Sequence, residues 1–162
     1  MEFRDLRADD HPLVLALNNG ALPAVSPLDD DGLVALVGEC SHAIVAVNDD
    51  GSLGGFCITL GPGAAYTSLN YRWFAARYDA FEYLDRIVVA PAARGTGIGG
   101  AMYDELERRI AGNAPWLLCE VNVRPLNEGS LRFHHRIGFV EVGQQDTDGG
   151  TKRVSLLAKP LR

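Results

Sequence analysis

Cysteine is scarce in this chain: Cys40, Cys57 and Cys119 are the only three in 162 residues, an odd number in apolar contexts. That excludes a disulfide framework and a thiolate zinc site, and it fits thiols kept reduced in the cytoplasm. No metal is expected. Basic residues are also in deficit, with 15 Lys and Arg against 21 Asp and Glu and a net charge of −6. A nucleic-acid binder needs a basic stripe to meet phosphates, so no nucleic-acid partner is expected. No apolar run approaches the about 20 residues of a bilayer span, which sets a membrane partner aside. The opening stretch MEFRDLRADD lacks the apolar core of a secretory signal. Repeats, low-complexity tracts and linkers are missing too. What remains is a chain with 47% hydrophobic residues, enough for one domain over residues 1–162 with a sizeable core. Its acidic balance fits cationic small molecules.

Patterning divides the chain into short elements. Phe3 to Arg7 reads as an edge strand, followed by a helix start at Asp9 and Asp10 that tolerates Pro12. Asp29 to Asp31 cap a second helix carrying Leu33, Leu36 and Val37. His42 to Val47 and Leu53 to Leu60 form a hairpin across Asp49-Asp50-Gly51. Residues 64 to 80 fit no simple period. Phe81 to Val89 is a strand, and Gly97 to Ala111 a helix with Ile98, Met102, Leu106 and Ile110 on one stripe. Trp116 to Val123 is a strand, Asn127 to Ile137 a helix, and Phe139 to Gln145 with Val154 to Ala158 a closing hairpin. Strands outnumber helices without strict alternation. The class is therefore α/β (α+β), a mixed sheet of about seven strands flanked by about four helices.

The most informative segment is YLDRIVVAPAARGTGIGG, Tyr83 to Gly100. A strand ends at a proline, an arginine follows, glycine recurs at every second position and a helix begins. Such a turn presents backbone N–H groups and the positive end of a helix to an anion. Taken alone, it also fits a turn that merely packs a helix on a sheet. A dinucleotide turn is a second alternative, since Gly95, Gly97 and Gly100 satisfy G-x-G-x-x-G and Glu120 follows on the next strand. Against that stand the intervening residues Ala90 to Arg94 and the absence of serial βαβ units.

A third alternative covers nearly the whole chain. Arg94-Gly95-Thr96-Gly97-Ile98-Gly99 resembles the [Q/R]-x-x-G-x-[G/A] acyl-CoA motif of the GCN5-related N-acetyltransferase (GNAT) superfamily. The block Asn127-x-x-Ser130-x-x-Phe133-His134-x-x-Ile137-Gly138-Phe139 is similar to that family's next motif. The resemblance implies acetyl-CoA as cosubstrate and an amine acceptor attacked directly in a ternary complex. It implies a pyrophosphate on Arg94 to Gly99, a pantetheine arm beside Ile87, Val88 and Val89, and a side-chain contact from Asn127, which a helix cap would also explain. Homodimers are common among such proteins.

Acetyl transfer needs an uncharged amine, a polarised thioester and a proton for the thiolate. Glu120 is the expected base, in a context that resembles ribosomal-protein N-acetyltransferases; an arginine partner would explain it structurally. Seven residues separate it from Asn127, more than in those relatives. Asp85 is a second carboxylate; as Arg86's neighbour on a strand it should point to the opposite face and find its partner elsewhere. His134 stands where the family often places a tyrosine acid, so it is expected either to assist the thiol or to serve as a half-buried structural residue. Seven of thirteen aromatics fall between positions 66 and 83. They suggest an aromatic-walled acceptor pocket, with Tyr71, Trp73, Tyr83 and Asp85 as candidate contacts, or else a cover over the sheet. A CoA-binding sensor without turnover is the rival reading from another class.

Overall fold

The computed structural model describes residues 1–162. The order is β1 (Glu2–Asp5), α1 (His11–Asn19), α2 (Asp30–Glu39), β2 (His42–Val47), β3 (Leu53–Leu60), α3 (Leu69–Ala75), β4 (Glu82–Val89), α4 (Ile98–Ile110), β5 (Trp116–Arg124), α5 (Glu128–Arg136), β6 (Val140–Thr147) and β7 (Lys152–Pro160). The expected α/β class and seven-strand mixed sheet are observed. The helix count is five, because α3 forms inside the segment that carries no clear period. A helix of seven residues is too short to stand on propensity. Ser68 caps it by accepting from the Tyr71 N–H, and its aromatic side chains dock on the sheet.

The strands lie in the order β1-β2-β3-β4-β5-β7-β6. All neighbours are antiparallel except β4 and β5. Those two are parallel and pair only at Glu82–Leu117 and Tyr83–Leu118. Beyond that point they part, leaving one edge of each strand without a ladder partner in the middle of the sheet. This is the feature that positions the site.

Two cores cover the faces. Val14 of α1, Leu33 and Leu36 of α2, and Tyr71 and Phe74 of α3 pack with Tyr83, Leu118, Val154 and Leu156 on one face. Ile98, Met102, Tyr103, Leu106 and Ile110 of α4 pack with Cys119, Val121, Leu157 and Phe139 on the other. The helical stripe expected in α4 is buried as a unit, at 4% exposure or less. Residues 118 to 121 alternate between the two cores, as a strand requires.

Near the site the alternation fails in β4. Leu84 pairs with Thr59 and Arg86 with Ile58, so Asp85 is an extra residue with no partner on β3. This bulge overturns the expectation that Asp85 and Arg86 face apart. An inserted residue removes the period-2 constraint, and Arg86 Nε donates to Asp85 Oδ2 at 2.7 Å.

Candidate active site

The parting of β4 and β5 opens a passage through the sheet, a cavity of about 490 Å³. Its walls come from both faces: Ser26, Tyr66 and Asn70 on the α1–α3 side, Ser130 and His134 on the α5 side, and β4 and β5 between them.

At one mouth lies the glycine loop. Gly95 and Gly97 have φ of 76° and 88°, which only glycine adopts at little cost. Gly97 precedes α4 without any side-chain cap. The N–H groups of Gly95, Gly97, Ile98, Gly99 and Gly100 donate to no backbone acceptor. A cluster of free donors at a helix N-terminus, with Arg94 exposed beside it, suits a pyrophosphate. Along β4, Ala90 N–H bonds back to Gly54 on β3, so alternation turns the N–H of Val89 toward the passage. Ile87, Val88, Val89 and Arg94 all line the cavity. Asn127 lines it too, while its Oδ1 caps α5 by accepting from Ser130 N–H at 3.3 Å. These donors, the strand edge and the open space fit an acyl-CoA.

Deeper in, Glu120 opens onto the cavity from β5. Its partner is not an arginine. Tyr83, fully buried at the last paired step of β4, donates its hydroxyl to both carboxylate oxygens at 2.9 and 2.8 Å. Burial pushes the Glu120 carboxyl up from 4.5 to about 8, and the Asp85 charge adds to this; the hydrogen bond from Tyr83, the nearby Asn70 amide and the charge of Arg86 oppose it. Asp85 and Arg86 lie beside it and neutralise one another. Arg86 also donates Nη1 to Asn18 Oδ1 and Ser26 O, and Nη2 to Ser26 Oγ. Tyr66 donates to the other Asp85 oxygen at 2.6 Å. This buried network ties the α1–α2 loop to β4.

His134 faces the cavity from the opposite side of the sheet and is 4% exposed. Its Nδ1 lies 2.7 Å from the Ser130 carbonyl, which can only accept, so Nδ1 carries the hydrogen. Nε2 then accepts from the hydroxyl of Tyr103, at 2.6 Å. Burial holds the imidazole below its usual proton affinity, against the pull of the Ser130 carbonyl. No carboxylate stands beside it to charge it.

The structure thus brings Glu120, Asp85, His134, Asn127 and Arg94 onto one cavity, while Gly95, Thr96, Gly97, Ile98 and Gly99 lie outside its lining. Tyr83 reaches that cavity only through Glu120. Tyr71 and Trp73 do not line it. Tyr71 donates to Gly61 O and accepts from Ala64 N–H. Trp73 lies against Gly143, where a Cβ would come within 2.5 Å of the ring. The aromatic-rich segment is therefore mostly core: Tyr71, Phe74, Phe81 and Tyr83 are buried under α3, and Tyr66 alone among the seven lines the cavity. Glu82 sits away from the cavity, accepting from Ser41 and Thr59. Sequence reasoning missed Tyr103, which occupied an ordinary helical stripe position, and Ser26, Asn70 and Lys152, which no motif marks. Cys57 and Cys119 are buried free thiols, as expected, and Cys40 is half-buried. No helix is long and apolar enough to cross a membrane.

A parted parallel strand pair, a glycine loop at its open end and a half-buried carboxyl between the strands are the frame of an acetyltransferase fold. The family model for the acetyltransferase (GNAT) family matches residues 23–139, and the chain belongs to that family. It is an N-acetyltransferase by that membership. No curated protein matches the sequence. Among solved structures, Ard1 from Thermoplasma volcanium superposes with a TM-score of 0.79 at 16% identity, covering 99% of this chain and 97% of that one. NAA60 from Arabidopsis thaliana, in complex with a bisubstrate analogue, gives 0.77 at 19% identity, with 99% and 98% covered. The ribosomal-protein-S18-alanine N-acetyltransferase from Escherichia coli gives 0.71 at 21% identity, with 99% and 93% covered.

Proposed function

We propose that the protein transfers an acetyl group from acetyl-CoA to a primary amine by direct attack in a ternary complex, with Glu120 as general base. The carrying observation is the half-buried Glu120 carboxyl, held by Tyr83 inside the passage between the glycine loop and the α1–α2 loop. Acetyl-CoA supplies the activated acyl group. The free N–H groups of Gly95 and of Gly97 to Gly100, with the Arg94 side chain, hold its pyrophosphate, and the edge of Ile87 to Val89 with Asn127 holds its pantetheine arm.

Glu120 takes the proton that the ammonium must lose, directly or through one water. A base works best when its proton affinity lies near the working pH, and a carboxyl pushed to about 8 meets that condition where an ordinary one does not. The Val89 N–H, which turns toward the passage, donates to the carbonyl oxygen as charge develops there. His134, with both ring nitrogens already bonded, is assigned to shaping the thiol end of the passage. The departing thiol, with a pKa of about 8.5, leaves as thiolate or takes its proton from solvent.

The test is mass detection of acetylated product over an amine panel, with the wild type and Glu120→Gln side by side. Wild-type turnover on at least one amine, lost in the variant while acetyl-CoA still raises its melting temperature, supports the reading. Full turnover by Glu120→Gln at every pH would remove Glu120 from the mechanism.

A further inference from the structure

We infer that the acceptor is a small amine carrying a carboxylate a few bonds from its nitrogen, held with the amine at Glu120 and the carboxylate at Lys152. This rests on the acetyl-transfer reading and adds the class of substrate. Three cationic side chains, Arg86, Arg94 and Lys152, line the cavity. Arg86 is spent: it donates four hydrogen bonds to Asp85, Asn18 and Ser26. Arg94 belongs to the glycine loop at the donor mouth. That leaves Lys152 for the acceptor side, loosely paired with Asp148, which lines the cavity too. Its carboxylate partner, Asp148, is 3.6 Å away, beyond hydrogen-bond reach, and 63% exposed.

Register aims Lys152 at the same space as Glu120. Glu120 pairs with Leu156 and Asn122 with Val154. Val154 and Leu156 belong to the α1–α3 face, and Lys152 lies two residues further along β7, on that same face. Four residues of strand span about 13 Å, and the two side chains reach in from either end of it. The gap suits a compact molecule with opposite charges at its ends. The lining is mixed, with Ala21, Pro23, Val25 and Tyr66 beside polar side chains such as Ser26 and Asn70, room for a short apolar spacer between charged ends. A diamine would set its second ammonium beside Lys152 and would have to draw Asp148, 63% exposed, away from it. A phosphate would call for more than one cation or a bidentate arginine. A carboxylate matches a single ammonium.

The experiment compares amino acids with their carboxamides as matched acceptors, using the wild type, Lys152→Met and Lys152→Arg. The readouts are kcat/KM from acetylated product and thermal shift in the presence of CoA. The wild type is expected to prefer the acid over its amide by about tenfold or more. The ratio should fall toward one in Lys152→Met, through KM, and largely survive in Lys152→Arg. A wild-type ratio of one or below, or an unchanged ratio in Lys152→Met, overturns the proposal. If no amine is acetylated, the transfer reading fails separately, and the thermal shift still decides: stabilisation by acid over amide that vanishes in Lys152→Met upholds the site, and its absence sinks it.

Discussion

A half-buried carboxyl and a buried imidazole face the same passage from opposite sides of the sheet, each bonded to a buried tyrosine hydroxyl. On the α1–α3 face Tyr83 holds Glu120; on the α4–α5 face Tyr103 holds His134. Burial pushes both toward neutrality, Glu120 upward and His134 downward. The difference lies in what is left over. His134 has two ring nitrogens, and Ser130 and Tyr103 occupy both. Glu120 accepts from Tyr83 at both oxygens yet keeps lone pairs open to the cavity. One group is closed by its partners and the other keeps open acceptors, which is why the proposed proton transfer is assigned to the Glu120 side.

The largest test of that asymmetry is Glu120→Gln. Removing a positioned base lowers kcat on the order of 10²–10⁴-fold. The same substitution should stabilise the fold in alkali. A carboxyl whose folded pKa is raised contributes stability that is fully present below its unfolded pKa of 4.5 and is lost as pH rises through about 8. With water in the cavity reducing the penalty, that loss is on the order of 3 kcal/mol. Denaturant unfolding at pH 5 and pH 9 should show the wild type weakening with pH more than the glutamine variant. Parallel pH dependence in the two proteins would place Glu120 in an ordinary, solvated environment.

Tyr83→Phe is expected to act next in size and only through proton affinity. The Tyr83 hydroxyl favours the charged carboxylate, so its loss should move the alkaline-rising limb of kcat/KM up from about 8 by about one pH unit. At pH 7 this reads as about a tenfold loss, recovered in more alkaline buffer. A loss that persists at every pH would make Tyr83 a packing residue and no more.

How much of this was legible follows the same division. The donor side could be read directly, because glycine at positive φ and an uncapped helix start leave their mark in composition and spacing. Glu120 is singled out by its strand context and the family resemblance, and it does open onto the cavity. The acceptor side could not. Asp85 and Arg86 share a face because of a bulge, and a one-residue insertion in a ladder has no signature in one strand's own sequence. The aromatics between 66 and 83 suggested a pocket wall, yet most of them fill the core beneath α3. Composition reports apolar area without reporting which side it faces. Tyr103 and Lys152 gained their places from register and packing, which join residues far apart in the chain.

Tyr103→Phe is the smallest and most discriminating of the tyrosine changes. It leaves the Nε2 of His134 buried without a donor, and an unsatisfied buried acceptor costs about 1–3 kcal/mol. No competing charge is available to adjust, since the imidazole is neutral in either case. The variant should therefore melt lower while kcat/KM and its pH limb stay close to wild type. His134 itself carries the opposite pH signature to Glu120. Its depressed folded pKa means a contribution present above its unfolded pKa of 6.5 and lost as pH falls below it. Unfolding of the wild type and of His134→Gln between pH 5 and pH 7 should show the acid-side decline shrinking in the variant. If Tyr103→Phe instead shifted the pH limb of turnover as Tyr83→Phe is expected to, the two sides of the passage would be coupled in catalysis, and His134 would take its place beside Glu120.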